Sequence, residues 1–426
     1  MSQEPGGVEE PRAGEAIPGP PPASGAEGRG GAADREPAPS PADPFDAGPY
    51  AHLQASLHLP PPVQAGGSWK RALAAAAAAW VPLLVFSALQ GLALGSGPEA
   101  FLLDIKAHAR YGLAVPFMVL AESWCLPQLA RIVRQFTRAE LVAPEDQARM
   151  DVLVASARRL LDRRGLEVGL AAAAYVVTVV TGSTLYPRGV PSWVAPHGAA
   201  TLAGLSLAGW WRVLVSHPLF LLLLAAWLWR LGVWARFLWG VSRLRLRLVV
   251  AHPDQMAGLR FLCGSLTAFA PVGGAASTVI AGDMAREIVF GGQLPQSSAH
   301  LTTIGATVLV MVCLFAAPLL PFAIPMRRAR LLGSARYGAL ALKLGRRFEE
   351  RWLDQPVHPA ALDANDFSAT TDLYSVAGNA LRMSRVPFAL KDLTPLVLIT
   401  ALPFAPVGLL AVPVHELVRR AAAFFL

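Results

Sequence analysis

The chain has 426 residues, of which 54% are hydrophobic and only 15% charged. A soluble domain carries about 25% charged residues, so composition excludes a chain that is soluble along its whole length. The net charge of +8 would point to nucleic acid in a soluble protein; here its placement along the chain supplies a different explanation.

Residues 1–66 are rich in Pro, Gly, Ala and Glu and hold almost no aliphatic periodicity. Such a segment cannot bury enough apolar surface to offset its ordering entropy, which predicts a disordered tail. It lacks the basic start and apolar core of a secretory signal peptide. Residues 67–426 are predicted to form a multi-pass membrane domain.

A transmembrane helix needs about 20 consecutive apolar residues. Reading uncharged runs in order predicts spans near 73–95, 111–131, 168–187, 213–239, 261–283, 301–325 and 393–414. The fold class is therefore all-α: a polytopic membrane helix bundle of six or seven transmembrane helices with a disordered N-terminal tail. The seventh span is the weakest, because Pro395, Pro403, Pro406 and Pro413 interrupt it; a re-entrant hairpin turning at Pro403–Pro406 is the alternative. The uncharged stretch 189–211 is broken by Pro191, Pro196 and glycines. Its helix-compatible part would be roughly 21 Å long, too short to cross, and it is expected to form an outer loop.

Orientation follows from Lys and Arg. With the N-terminus inside, the inner segments 1–72, 130–165, 240–260 and 326–392 hold 28 basic residues. The outer segments hold seven: Lys106, Arg110, Arg188, Arg212, Arg286, Arg419 and Arg420. The basic excess thus becomes a topology signal, with a cytoplasmic N-terminus and a cytoplasmic helical segment at 326–392. The expected partners are the lipid bilayer and its anionic headgroups, together with a protein partner or a second copy of the chain. Nucleic acid is not among them.

Ala208-Gly-Trp-Trp-Arg-Val-Leu-Val-Ser-His-Pro-Leu-Phe220, Trp227-Leu-Trp-Arg-Leu231 and His252-Pro-Asp-Gln-Met-Ala-Gly-Leu-Arg-Phe-Leu262 resemble a family of bacterial multi-pass inner-membrane proteins of unassigned function. Asp104-Ile-Lys-Ala-His-Ala-Arg110 and the closing Leu402-Pro-Phe-Ala-Pro-Val407 share that resemblance, which covers roughly residues 73–426. Arg260 departs from it, at a position where a small residue is expected. The resemblance implies architecture and a cell inner-membrane location, and carries no activity.

The ionisable residues inside the apolar runs are the candidate functional ones. Glu122 interrupts span two near its middle. Embedded carboxylates face the bundle and find a partner, and helical rise places Arg230 of span four within reach. Glu122 is thus a proton carrier or cation ligand, half of a structural ion pair, or a residue that meets water in a shifted span. Arg230 and Arg236 also lie among Trp227, Trp229, Trp234 and Trp239, a pattern that suits snorkelling to the headgroups. Asp104, His108 and Arg110 mark the outer boundary of span two. The i, i+4 spacing puts Asp104 and His108 on one helix face, but two ligands are too few for a metal site. On the inner side, Pro253 biases His252 to an extended conformation, which leaves Asp254 to cap the helix of span five. Arg243, Arg245 and Arg247 alternate with leucines and predict either a short strand or a continued helix. Cys125, Cys263 and Cys313 lie in apolar runs without a C-x-x-C pair, and suit buried small hydrophobes. No Gly-rich phosphate loop, G-x-S-x-G or H-E-x-x-H is present. No cofactor, metal or catalytic residue is therefore expected, and an enzyme is the least favoured class. The leading function is a transporter or channel-like component; the alternative is a non-catalytic membrane scaffold or assembly subunit.

Overall fold

A computed structural model describes residues 67–95, 99–185, 190–196, 204–291, 298–353 and 366–410. The 1–66 tail, parts of the 189–211 and 326–392 segments, and residues 411–426 with Arg419 and Arg420 lie outside the described residues. Within them the protein is all-α, and seven helices are long and apolar enough to cross a membrane.

These are α1 (Ser68–Leu89), α2 (Ile105–Arg138), α4 (beginning at Arg164), α5 (Leu207–Val241), α6 (Arg260–Gly291), the composite beginning at Ser298, and Leu390–Gly408. A short helix α3 (Gln147–Leu161) precedes α4. The composite sixth span comprises α7 (Ser298–Ala316), a 3-10 turn (Ala317–Phe322) and α8 (Ala323–Trp352). Helix α9 (Asp366–Arg382) packs back along α8. The seventh span is α10 (Leu390–Ala401), a 3-10 turn (Leu402–Phe404) and α11 (Ala405–Leu410).

Spans two, four, five and six overrun their predicted limits because charge marks the end of an apolar run, not the end of a helix. Span one instead stops at Leu89, short of the predicted residue 95, where the chain turns and Gly91 takes φ of 69°. Arg327, Arg328 and Arg330 lie inside α8, which continues to Trp352. Span four begins at Leu207, earlier than the predicted loop allows, because Ser206 caps it: the Gly209 N–H donates to Ser206 Oγ at 2.8 Å. Its continuation carries Arg212 into a helical, buried position.

Prolines set the irregular turns. The π-helical segments His108–Ala114 and Arg212–Ser216 each end directly before a residue–proline pair, Val115-Pro116 and His217-Pro218. Proline has no N–H and its ring clashes with the carbonyl four residues earlier. Widening the preceding turn to i→i+5 bonding relieves that clash without ending the helix. Pro318 and Pro321 sit in one 3-10 turn and Pro403 in the other.

Helix α6 is the centre of the bundle and α4 its periphery. Two-thirds of the most apolar window of α6 (67%) is buried inside the protein, against 11% for α4. The cause is side-chain size. Gly273, Gly274 and Gly282 let neighbouring helices approach closely, the usual device for helix association in lipid. Gly282 lies against Ala109 of α2, while Gly273 and Gly274 lie against Thr400 and Ile399 of α10. Further along the same direction, Ala281, Met284 and Ala285 pack with Phe404 and Val407. The seventh span therefore runs on beside α6, parallel to it, through its 3-10 turn. A hairpin turning at Pro403–Pro406 does not form in these residues. Outward-facing Val176, Val177, Val179 and Val180 of α4, and Leu309 and Val310 of α7, are exposed, as lipid-facing positions are.

The loop after α5 is extended. Val142 and Leu246 form an antiparallel bridge. The Arg247 N–H donates to the Leu141 carbonyl at 2.7 Å, and the Ala143 N–H to the Arg245 carbonyl at 2.9 Å. The alternation of Arg243, Arg245 and Arg247 with leucine thus reads as a short extended segment, and α5 stops at Val241.

Candidate functional site

Glu122 is completely buried, between two arginines. Arg230 Nη2 lies 2.9 Å from its Oε1, and Arg71 Nη1 lies 3.1 Å from its Oε2. Both guanidiniums are almost fully buried, at 1% and 2% exposure. Three spans supply the three groups: α1, α2 and α5. Arg230 also stacks over the Trp227 ring at 4.9 Å, which adds a cation–π contact to a desolvated cation. Each carboxylate oxygen thus meets a different helix.

Arg71 had no special standing in the sequence, where it reads as a charge flanking span one. Helix α1 instead starts at Ser68 and carries Arg71 inside its first turn, against the middle of α2. The sequence carries no signal for this: α2, at 34 residues, is longer than the 22-residue α1, and the packed offset of the two helices brings mid-helix Glu122 level with the start of α1.

Arg236 does not join this cluster. It is exposed beside Leu228, Trp229 and Trp239 on the outer surface of α5, in the arrangement expected of a snorkelling side chain.

At the opposite end of the bundle, Asp104 and His108 have separate structural duties. Asp104 is buried and accepts from the Ala107 N–H at 3.1 Å and from Trp193 Nε1 at 2.9 Å. His108 Nδ1 accepts from Trp80 Nε1 at 2.8 Å, and its Nε2 lies 3.1 Å from the Leu102 carbonyl. Among the described residues no cluster of three or more His, Cys, Asp or Glu could hold a metal ion. Arg110 lies over the Phe220 ring at 5.7 Å. Tyr111, in the same π segment, has its hydroxyl 3.4 Å from Arg212 Nε and 3.3 Å from His217 Nδ1. The widened turns of α2 and α5 are thereby joined through one phenol.

Asp254 organises the loop that leads into α6. Its carboxylate accepts from the N–H groups of Met256, Gly258 and Arg260 at 2.8, 3.2 and 3.2 Å, and His252 Nδ1 lies 2.9 Å away. Gln255 and Ala257 adopt φ of 58° and 57°, a region that costs a side-chain-bearing residue about 1 kcal/mol or more. The three hydrogen bonds that these backbone N–H groups donate to Asp254 hold them there. Burial alone would raise the Asp254 carboxyl; the hydrogen bonds from Met256, Gly258 and Arg260, with His252, outweigh it and hold the group below the usual aspartate value. A depressed folded-state value contributes stability above the unfolded value, and that contribution is lost as pH falls through the folded one. Asp254→Asn is therefore expected to lower the melting temperature at neutral pH. The gap to wild type should narrow below about pH 4; a gap unchanged down to acid would show that the charge of Asp254 is not what holds the loop.

Arg260 ties the starts of spans five and seven. Its Nη2 donates to Asp392 Oδ1 at 2.7 Å, while Asp392 Oδ2 accepts from the Ala389 N–H at 2.8 Å. A small residue there could not make this link. Cys125 and Cys263 are buried, and Cys313 is exposed on the outer face of α7.

No protein-family model matches the chain, and no curated protein and no solved structure is similar to it.

Proposed function

We propose that the protein is a transporter or channel-like component of a bacterial inner membrane, with its N-terminus in the cytoplasm. The observation that supports this is the pair of π segments, His108–Ala114 and Arg212–Ser216, joined through Tyr111. Widened turns free backbone groups and let a helix flex, and they recur at functional sites; broken helices at membrane depth are tolerated where they line a cavity. The 3-10 turns of spans six and seven add two further discontinuities. The excess of Lys and Arg on the segments flanking α1, α3 and α8 supports the orientation and contact with anionic headgroups. The resemblance to bacterial inner-membrane proteins supports the location.

The test is uptake of labelled inorganic anions, cations and neutral metabolites into proteoliposomes. At least one solute is expected to enter at a rate absent from protein-free vesicles. Tyr111→Phe should reduce it about tenfold, the scale of one lost hydrogen bond to a charged group, with little change in melting temperature. Silence toward every solute would remove the transport reading.

A scaffold or assembly role is the second reading. It is favoured by the way Glu122 is held: both oxygens engaged and no exposure to water, which suits a fastener better than a proton carrier. A stoichiometric partner that co-purifies with the full chain and is lost on removing residues 1–66 would support it.

A further inference from the structure

Of the seven basic residues that the sequence leaves on the outer side, four converge on one cavity. Lys106, Arg110, Arg212 and Arg286 line a space of about 260 Å³, together with Asp104 and Asp283. They come from α2, α5 and α6, and Trp193 and Val194 of the 190–196 segment complete the wall. Topology disfavours arginine on this side, so grouping most of the exceptions in one place calls for a local cause.

The two carboxylates are already engaged. Asp104 accepts from Trp193 and from a backbone N–H, and Asp283 pairs with Lys106 at 3.2 Å. Arg110 and Arg286 have no carboxylate partner among the described residues, and the Nε of each is buried without a hydrogen bond. Arg212 is buried at 9% exposure beside them. Among the described lining residues four cations thus face two carboxylates, an excess of two positive charges. Low-dielectric walls strengthen the attraction of such a cluster for an anion, and guanidinium groups match the geometry of phosphate and carboxylate oxygens.

We infer that this cavity binds a small oxyanion of the phosphate type, through Arg110, Arg212 and Arg286. Its volume lies just below the range of drug-sized pockets, so the bound group is a single phosphate or a compact phosphomonoester. A free solute and the headgroup of an anionic lipid both offer that chemistry. The inference rests on the proposed function in one respect, since it names the ligand class beside the Tyr111 junction, but binding is separable from translocation.

The experiment is a titration of inorganic phosphate into the purified full chain in phosphatidylcholine nanodiscs, read by calorimetry. It is repeated in nanodiscs of equimolar phosphatidylcholine and phosphatidylglycerol, read by melting temperature. Saturable phosphate binding is expected, about tenfold weaker in Arg286→Gln and about threefold tighter in Asp283→Asn, which removes a competing negative charge. The melting temperature of each variant without ligand serves as the control for folding. If phosphate does not bind but phosphatidylglycerol raises the melting temperature of wild type and not of Arg286→Gln, the oxyanion is a lipid headgroup. No response to either probe, or responses unaltered in both variants, overturns the inference. Solute flux with no response to either probe would sink the anion site and leave transport standing; a response to either probe without any solute flux would do the reverse.

Discussion

Glu122→Ala is expected to destabilise the protein by about 3–5 kcal/mol, the cost of breaking a buried ion pair from one side. The substitution leaves Arg71 and Arg230, at 2% and 1% exposure, facing each other without the carboxylate between them. Removing the whole cluster should be far milder. In Arg71→Met/Glu122→Leu/Arg230→Met the three mutually paired charges leave together, and apolar replacement of buried ionic triads is neutral or stabilising where packing is kept. Unfolding titrations of the single and triple variants in matched micelles decide the point. A triple variant no more stable than Glu122→Ala would mean that Glu122 contributes something other than charge compensation.

Gly282→Leu should cost about 3 kcal/mol, at the upper end for overpacking. Gly282 lies in contact with Ala109 Cβ, and the Ile105 carbonyl is 3.4 Å from where its own Cβ would stand. Neither neighbour can swing aside: one is a methyl fixed to the α2 backbone, the other is backbone itself. Helices α2 and α6 would have to separate at the level of the oxyanion cavity, so a loss of phosphate affinity should accompany the loss of stability. Gly169→Leu on α4 is the comparison, since nothing lies within 4 Å of its Cβ position; it should leave the unfolding midpoint nearly unchanged. Equal effects at the two glycines would contradict the view that α6 is packed by close backbone approach.

Much of this architecture is legible in the order of residues. Uncharged runs of about 20 residues announce spans because lipid tolerates little else, and all seven recur as helices. Their ends are not legible in the same way. Arg212 and Arg327 interrupt the apolar pattern, yet the helix passes through both, since backbone hydrogen bonding is indifferent to where hydrocarbon stops. The proline-broken seventh span shows the converse: Pro403 reads as a turn, but a 3-10 adjustment carries the helix onward against α6.

The polar sites divide similarly. Glu122 and Arg230 stand out because a charge in an apolar run is conspicuous. Arg71 does not, because it adjoins Lys70 and the polar segment before the span. The oxyanion cavity is dispersed over Lys106, Arg110, Arg212, Asp283 and Arg286, and only the folding of α2 against α5 and α6 assembles it. One sequence signal for it did exist: Pro116 and Pro218 each follow an arginine by six residues, and the widened turns before them carry Arg110 and Arg212.

Glu122 fastens α1 and α5 to α2 through its two arginines. The most direct measurement is a double-mutant cycle on unfolding free energy with Arg71→Met, Glu122→Leu and the pair. Contacting charged residues couple by about 0.5–3 kcal/mol, whereas distant sites add. A coupling of at least about 1 kcal/mol is expected, with the pair more stable than the sum of the single losses allows. Additive losses would contradict the account.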